Sequence, residues 1–174
     1  MTDGQVKRIE GDDLAGGDRK GGISLVKMSA GTKVATVTPF LGDRPLLIVT
    51  QAGQAVRFVP DDVRPMGRSA SGVRGIKLGP GDVVVGAVHP ADDDCLLLLV
   101  QGKGGGKRVW IEEFPLQGRA GKGVKCAVVT GRTGNVIRAL SLVPDEVRQL
   151  AELGAAHYLP FEQMMDLRAA RAID

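Results

Sequence analysis

Cysteine and histidine are scarce in this chain, two of each, and neither type falls in a pattern that would hold a metal. Cys95 stands beside an apolar run and Cys126 between Lys125 and Ala127, with no CxxC and no His at ligand spacing. Neither a zinc site nor a disulfide framework is indicated, and a reduced, cytosolic setting is expected. Long hydrophobic runs are missing too: none approaches a bilayer span, and the opening MTDGQVKRIEGDDLAGGDRK is too charged for a signal peptide. A soluble, internal protein with no membrane partner is expected. Aromatic residues make up only 3% of the chain, whereas the 25 glycines imply many tight turns.

What is present is otherwise ordinary for a soluble protein: 43% hydrophobic and 25% charged residues over a length of 174 that suits one domain with a sizeable core. A formal charge of +3 and a pI near 9.0 permit an acidic partner such as nucleic acid, and serve solubility equally well. Catalytic chemistry finds no support. His89 in AVHPADDD and His157 in AAHYLP lie in no nucleophile or metal motif and read as structural. Asp92, Asp93 and Asp94 read as a solvated turn, because no further ligands follow at calcium-loop spacing. Two glycine-rich lysine loops fail the phosphate-loop pattern G-x-x-x-x-G-K-[ST]. Before Gly106-Lys107 the first Gly is replaced by Gln101 and the hydroxyl by Arg108; around Gly121-Lys122 those places hold Leu116 and Gly123. No ATP site and no cofactor are expected.

The chain repeats itself. GQVKRI at 4–9, GQAVRF at 53–58 and GGKRVW at 105–110 form one landmark, and RKGGISL at 19–25, SGVRGIKL at 71–78 and GKGVKCAV at 121–128 form a second. Gly22, Gly72 and Gly123 are separated by 50 and 51 positions, and Arg68 stands 51 before Arg119. Short β-branched runs at 44–50, 55–59, 82–88, 95–100, 107–111 and 124–129 predict strands. TQAGQ at 50–54, QGKGGGK at 101–107 and LGPGD at 78–82 predict turns. About fifty residues with roughly four strands is the signature of a propeller blade. QGRAGKGV at 117–124 is then either a turn between strands or a surface that holds something anionic, since Arg119 and Lys122 sit among glycines that allow close approach.

The stretch VRFVPDDVRPMGRSASGVRGIKLGPGDVVVGAV, followed by KRVWIEEFPLQGRAGKGVKCAVV, resembles two consecutive blades of the DNA gyrase A C-terminal domain, which topoisomerase IV shares in modified form. The resemblance covers residues 1 to 143 and is strongest from 44 to 130. It implies a β-pinwheel, a propeller-like disc whose blades exchange strands and whose basic rim binds and bends duplex DNA. The family's signature is a basic glycine-rich box on a rim loop, matched here by Gln117, Arg119, Gly121, Lys122 and Gly123. Gly118 stands where a second Arg is common, and Ala120 replaces a Gly, at a cost if that position needs a positive φ. A full pinwheel has about five or six blades, so the chain is too short for a complete disc.

The expected architecture is all-β: a partial repeat at 1–42, repeats at 43–91 and 92–143, and a tail at 144–174. In the tail, Val147, Leu150 and Ala151 fall at helical spacing behind Pro-Asp-Glu, while LGAAHYLPFEQM at 153–164 looks like an eroded copy of AGQAVRFVPDDV. A degenerate repeat over 155–160 and a short helix over 161–171 are expected. The resemblance implies a non-catalytic module of a type IIA topoisomerase that binds duplex DNA largely without regard to sequence. Its contacts would be Arg68, Arg74, Arg119, Lys122 and Lys125 with the loop residues Gln117, Gly121 and Gly123; Lys77, Lys103, Lys107 and Arg108 read as solvated. Tyr158 reads as a packing residue. So does Trp110, expected in the core because duplex DNA hides its bases. The competing reading is a scaffold that has lost DNA wrapping and docks on the gyrase catalytic core or on itself, burying strand edges that would otherwise invite aggregation.

Overall fold

The computed structural model describes residues 1–14, 20–39, 42–90 and 95–143. The expectations for residues 92–94 and for the tail at 144–174, including His157 and Tyr158, lie outside the described residues. The described residues form nine strands in chain order: β1 (Gln5–Val6), β2 (Leu46–Thr50), β3 (Gln54–Phe58), β4 (Val73–Arg74), β5 (Val84–Val88), β6 (Leu96–Gln101), β7 (Gly106–Trp110), β8 (Val124–Lys125) and β9 (Val136–Leu142). Short 3-10 turns at Gly11–Leu14, Pro60–Asp62 and Ile111–Glu113 recur once per repeat. The described residues contain no α-helix, and no helix there is long and apolar enough to cross a membrane. The fold is all-β, as expected.

The hairpins close where glycine takes a positive φ, Gly53 at 78° between β2 and β3 and Gly104 at 85° between β6 and β7. Their partners follow from the ladder, Leu47 opposite Arg57 in the first and Leu97 opposite Val109 in the second. Then comes the exchange. β4, from the second repeat, pairs with β1 of the first, and β8, from the third, pairs with β3 of the second. The two junctions have the same register: Gln5 opposite Arg74, and Gln54 opposite Lys125. The sheets read β1-β4, then β5-β2-β3-β8, then β7-β6-β9.

Between repeats lie two apolar clusters. Ile48, Val56, Phe58, Val63, Ile76 and Val84 fill one; Leu47, Val49, Leu97, Leu99, Ile111 and Val136 belong to the other. β2 feeds both because successive side chains point to opposite faces, which is why LLIVT is almost continuously apolar. The buried polar Gln101 is satisfied, its amide donating to the carbonyls of Val128 and Gly134 at 2.9 and 3.3 Å.

Three expectations need correction. The strand expected at 124–129 stops at Lys125, because the N–H groups of Cys126 and Ala127 both turn onto the Gly53 carbonyl, at 2.8 and 3.3 Å. β9, the longest strand among the described residues, was not expected: VIRALSL carries no clean alternation, and it is held by pairing along β6 from Leu96 to Gln101. Trp110, expected in the core, is 46% exposed on β7, where Val109 turns inward in its place.

Candidate nucleic-acid interface

The loops before β4 and β8 occupy equivalent places, 67–72 and 118–123, and each docks on the preceding repeat through backbone bonds. Met66 donates to the Arg8 carbonyl at 3.0 Å, and Gln117 donates to the Arg57 carbonyl at 2.8 Å. One exchange strand then begins at Gly72, φ 98°, and the other at Gly123, φ 74°. A Cβ on Gly72 would lie 2.6 Å from the Val6 carbonyl oxygen, and one on Gly123 would lie 2.3 Å from that of Ala55. Only glycine admits that approach.

In each exchange strand the first residue, Val73 or Val124, is half-buried and the second, Arg74 or Lys125, is exposed. The period thus delivers two cations to matching outward positions. Arg68 and Lys122 are exposed on the flanking loops. Among the described residues, Arg68, Arg74, Lys122 and Lys125 make no ion pair; the ion pairs found there join Arg8 to Glu10 and to Asp61. Their charge is left to solvent or to a ligand.

Arg119 differs from its neighbours. Its Nε donates to the Asp62 carbonyl at 2.9 Å and its Nη1 to the Arg74 carbonyl at 3.0 Å, so the guanidinium fastens the box loop to the second repeat. A guanidinium has five N–H donors, and those beyond these two bonds remain for a further acceptor. Ala120, beside it, has φ 69°, the one non-glycine residue with positive φ among the described residues, and its N–H donates to the Gly75 carbonyl at 2.6 Å. The departure from the glycine of the box therefore falls where glycine is favoured.

Sequence reasoning missed Lys7, whose Nζ donates to the carbonyls of Leu25, Arg68 and Ala70 at 2.7, 2.9 and 3.0 Å. It fastens the first junction as Arg119 fastens the second. Loss of hydration lowers its pKa, with the Asp13 charge opposing. Lys103, exposed as expected, donates from its Nζ to the Gly131 carbonyl at the surface. The two thiols, Cys95 and Cys126, are free and buried, and burial pushes Cys126 up to about 11, which leaves it protonated and unreactive near neutrality. Among the described residues no group of His, Cys, Asp and Glu is placed to hold a metal.

Blades that trade a strand with the next blade, each junction started by a glycine and fastened by a cation, define a strand-exchanging β-propeller. Comparison with family models matches residues 2–40, 44–89 and 102–141 to the DNA gyrase C-terminal domain, beta-propeller, and the chain belongs to that family. The DNA gyrase A protein of Klebsiella oxytoca is 35% identical over 152 residues, covering 87% of this chain and 17% of that protein. Its Helicobacter pylori counterpart is 35% identical over 166 residues, 95% of this chain and 20% of that one. The chain thus spans a fifth or less of the length of these relatives. A solved DNA gyrase A C-terminal domain superposes with a TM-score of 0.70 at 26% identity, over 81% of this chain and 46% of its own. The C-terminal domain of DNA topoisomerase IV superposes with a TM-score of 0.54 at 25% identity, over 57% and 31%. These are accessory C-terminal domains of topoisomerases rather than catalytic cores, and this chain matches part of such a domain.

Proposed function

We propose that the chain holds duplex DNA by its phosphates, along the rim formed by the loops 67–72 and 118–123 and the exchange strands β4 and β8. The observation that carries this reading is the recurrence of an exposed cation at matching positions of the exchange strands, Arg74 and Lys125, with Arg68 and Lys122 exposed on the loops before them and, among the described residues, no ion pair to any of the four. Phosphates repeat along DNA, and a periodic row of cations meets them with release of counterions. Arg119 sets the loop and offers its remaining donors, while Gln117, Gly121 and Gly123 shape the backbone around it. Gly121 lets that backbone approach a phosphate closely, whereas Gly123 is needed for the approach to the Ala55 carbonyl. No aromatic side chain lies among these residues, so contact with the backbone rather than the bases, and hence little sequence preference, is the reading that fits. In a cytoplasmic topoisomerase such a rim would bend a DNA segment and lead it toward the catalytic core.

The test separates the two box cations. Lys122→Ala is expected to weaken binding alike on duplexes of unrelated sequence and to lower the log–log salt slope by about 0.9, with unfolding unchanged. Arg119→Ala is expected to weaken binding and also to destabilise the fold by about 1 kcal/mol, through loss of its two carbonyl bonds. Unchanged affinity and slope in both variants would remove the box from the interface.

A further inference from the structure

The two junctions within the chain leave a third that is half-built at each end. On the accepting side, the Gly4 carbonyl receives the N–H groups of Gly75 and Ile76 at 2.8 and 3.2 Å, and the Gly53 carbonyl receives those of Cys126 and Ala127. A Cβ on Gly4 or Gly53 would lie 2.7 or 2.6 Å from a carbonyl of the next repeat. Gly104 holds the same place in the third repeat, with the same positive φ of 85°. Yet a Cβ there would meet nothing within 4 Å, and among the described residues its carbonyl accepts no hydrogen bond. Beside it, β7 pairs among the described residues with β6 alone, whereas β3 lies between β2 and β8.

On the donating side the same contrast holds. Gly72 and Gly123 press against carbonyls of the preceding repeat, while a Cβ on Gly22, φ 63°, would meet nothing within 4 Å among the described residues. The segment is nevertheless set as its counterparts are. Lys27 donates to the Ala70 carbonyl at 3.2 Å, just as Lys77 donates to that of Gly121 at 2.8 Å. The contact toward the following repeat is made, and the contact toward a preceding one is open. The N–H groups of Leu25 and Val26, counterparts of the pairs that bond Gly4 and Gly53, donate to nothing among the described residues.

We propose that residues 22–26 of a second copy of this chain dock on the β7 edge and the Gly104 turn, joining two chains head to tail. Continued from the internal junctions, the register places Ser24 of the second copy opposite Gly105 and its Ile23 opposite Gly106. Its Leu25 and Val26 N–H groups then fall on the Gly104 carbonyl. A head-to-tail contact closes into a ring or runs on as a filament. The smallest closed assembly is a pair, in which each copy donates one segment and accepts one, so that neither junction stays open. The pairing rests on the fold and not on DNA binding.

The test uses the 174-residue chain with two variants at glycines that are open in the single chain. Gly22→Ala blocks the donating segment, and Gly104→Ala blocks the accepting turn. By sedimentation at roughly 100 μM, the unaltered chain is expected to be a pair, and each variant alone a single chain with its strand amides still protected. The equimolar mixture is expected to recover pairs, because one partner keeps the donor and the other the acceptor. A single-chain mass for the unaltered protein would overturn the proposal: protected β7 amides would then assign the edge to residues 144–174, and unprotected ones would leave it uncovered. Pairs that persist in both variants would place the contact elsewhere, and a mass rising without limit would overturn closure.

Discussion

At the scale of single residues, the box departs from its glycine-rich pattern at one place where the backbone asks for glycine. Ala120 carries φ 69° while its N–H is held by the Gly75 carbonyl, so the left-handed conformation is imposed by the docking of the loop. A left-handed L-residue costs roughly 1–2 kcal/mol, and glycine gives part of that back through its freer unfolded chain. Ala120→Gly is therefore expected to raise stability by about 0.5–1 kcal/mol, read as a higher denaturant midpoint with an unchanged slope. A lower midpoint would mean that the Ala120 methyl packs usefully. Arg119 teaches a related point. A cation in a recognised motif can hold its own protein, and two of this one's donors are already engaged with carbonyls.

At the scale of elements, glycine decides where strands can exchange. Gly53 and Gly104 have nearly the same φ, 78° and 85°, but a Cβ on Gly53 would stand 2.6 Å from the Ala127 carbonyl and one on Gly104 would stand in the open. Gly104→Ala is expected to cost about 1 kcal/mol in backbone strain, and Gly53→Ala at least about 2 kcal/mol more, through the clash at the junction. Equal losses in thermal or denaturant unfolding would show that the exchange contributes little. The turns and most of the strands were legible in the sequence, because GQ landmarks and β-branched runs are local signals. Strand β9 was not, since its apolar pattern, VIRALSL, is decided by pairing with β6 and by the close approach of Ala139 to Gly86. The exposure of Trp110 was not legible either. Its neighbours in sequence read as core, and only the ladder shows that Val109 takes the inward place on β7 and leaves Trp110, opposite Leu96, on the outward one. Of the candidate interface, the period of the cations could be read from the chain, whereas the engagement of Lys7 and Arg119 with distant carbonyls could not, because those partners lie 18 to 63 residues away.

At the scale of the whole molecule, a modest formal charge of +3 can still make a DNA-holding surface if the charge is sorted in space. Here the sorting comes from the repeat itself: each exchange strand turns an apolar residue inward and a cation outward, and the loop before it adds another. The acidic residues of the 3-10 turns, Asp61 and Asp62 in one repeat and Glu112 and Glu113 in the next, lie on the same surface loops and temper the attraction. An affinity in the non-specific range, micromolar or weaker at physiological salt, is therefore expected for a single chain. The most direct test of the central claim is equilibrium binding of the unaltered chain to a mixed-sequence duplex across a salt series. If Arg68, Arg74, Lys122 and Lys125 each hold a phosphate, log affinity falls linearly with log salt, with a slope of about −3 to −4. No binding at low salt, or an affinity indifferent to salt, would contradict a phosphate-holding rim.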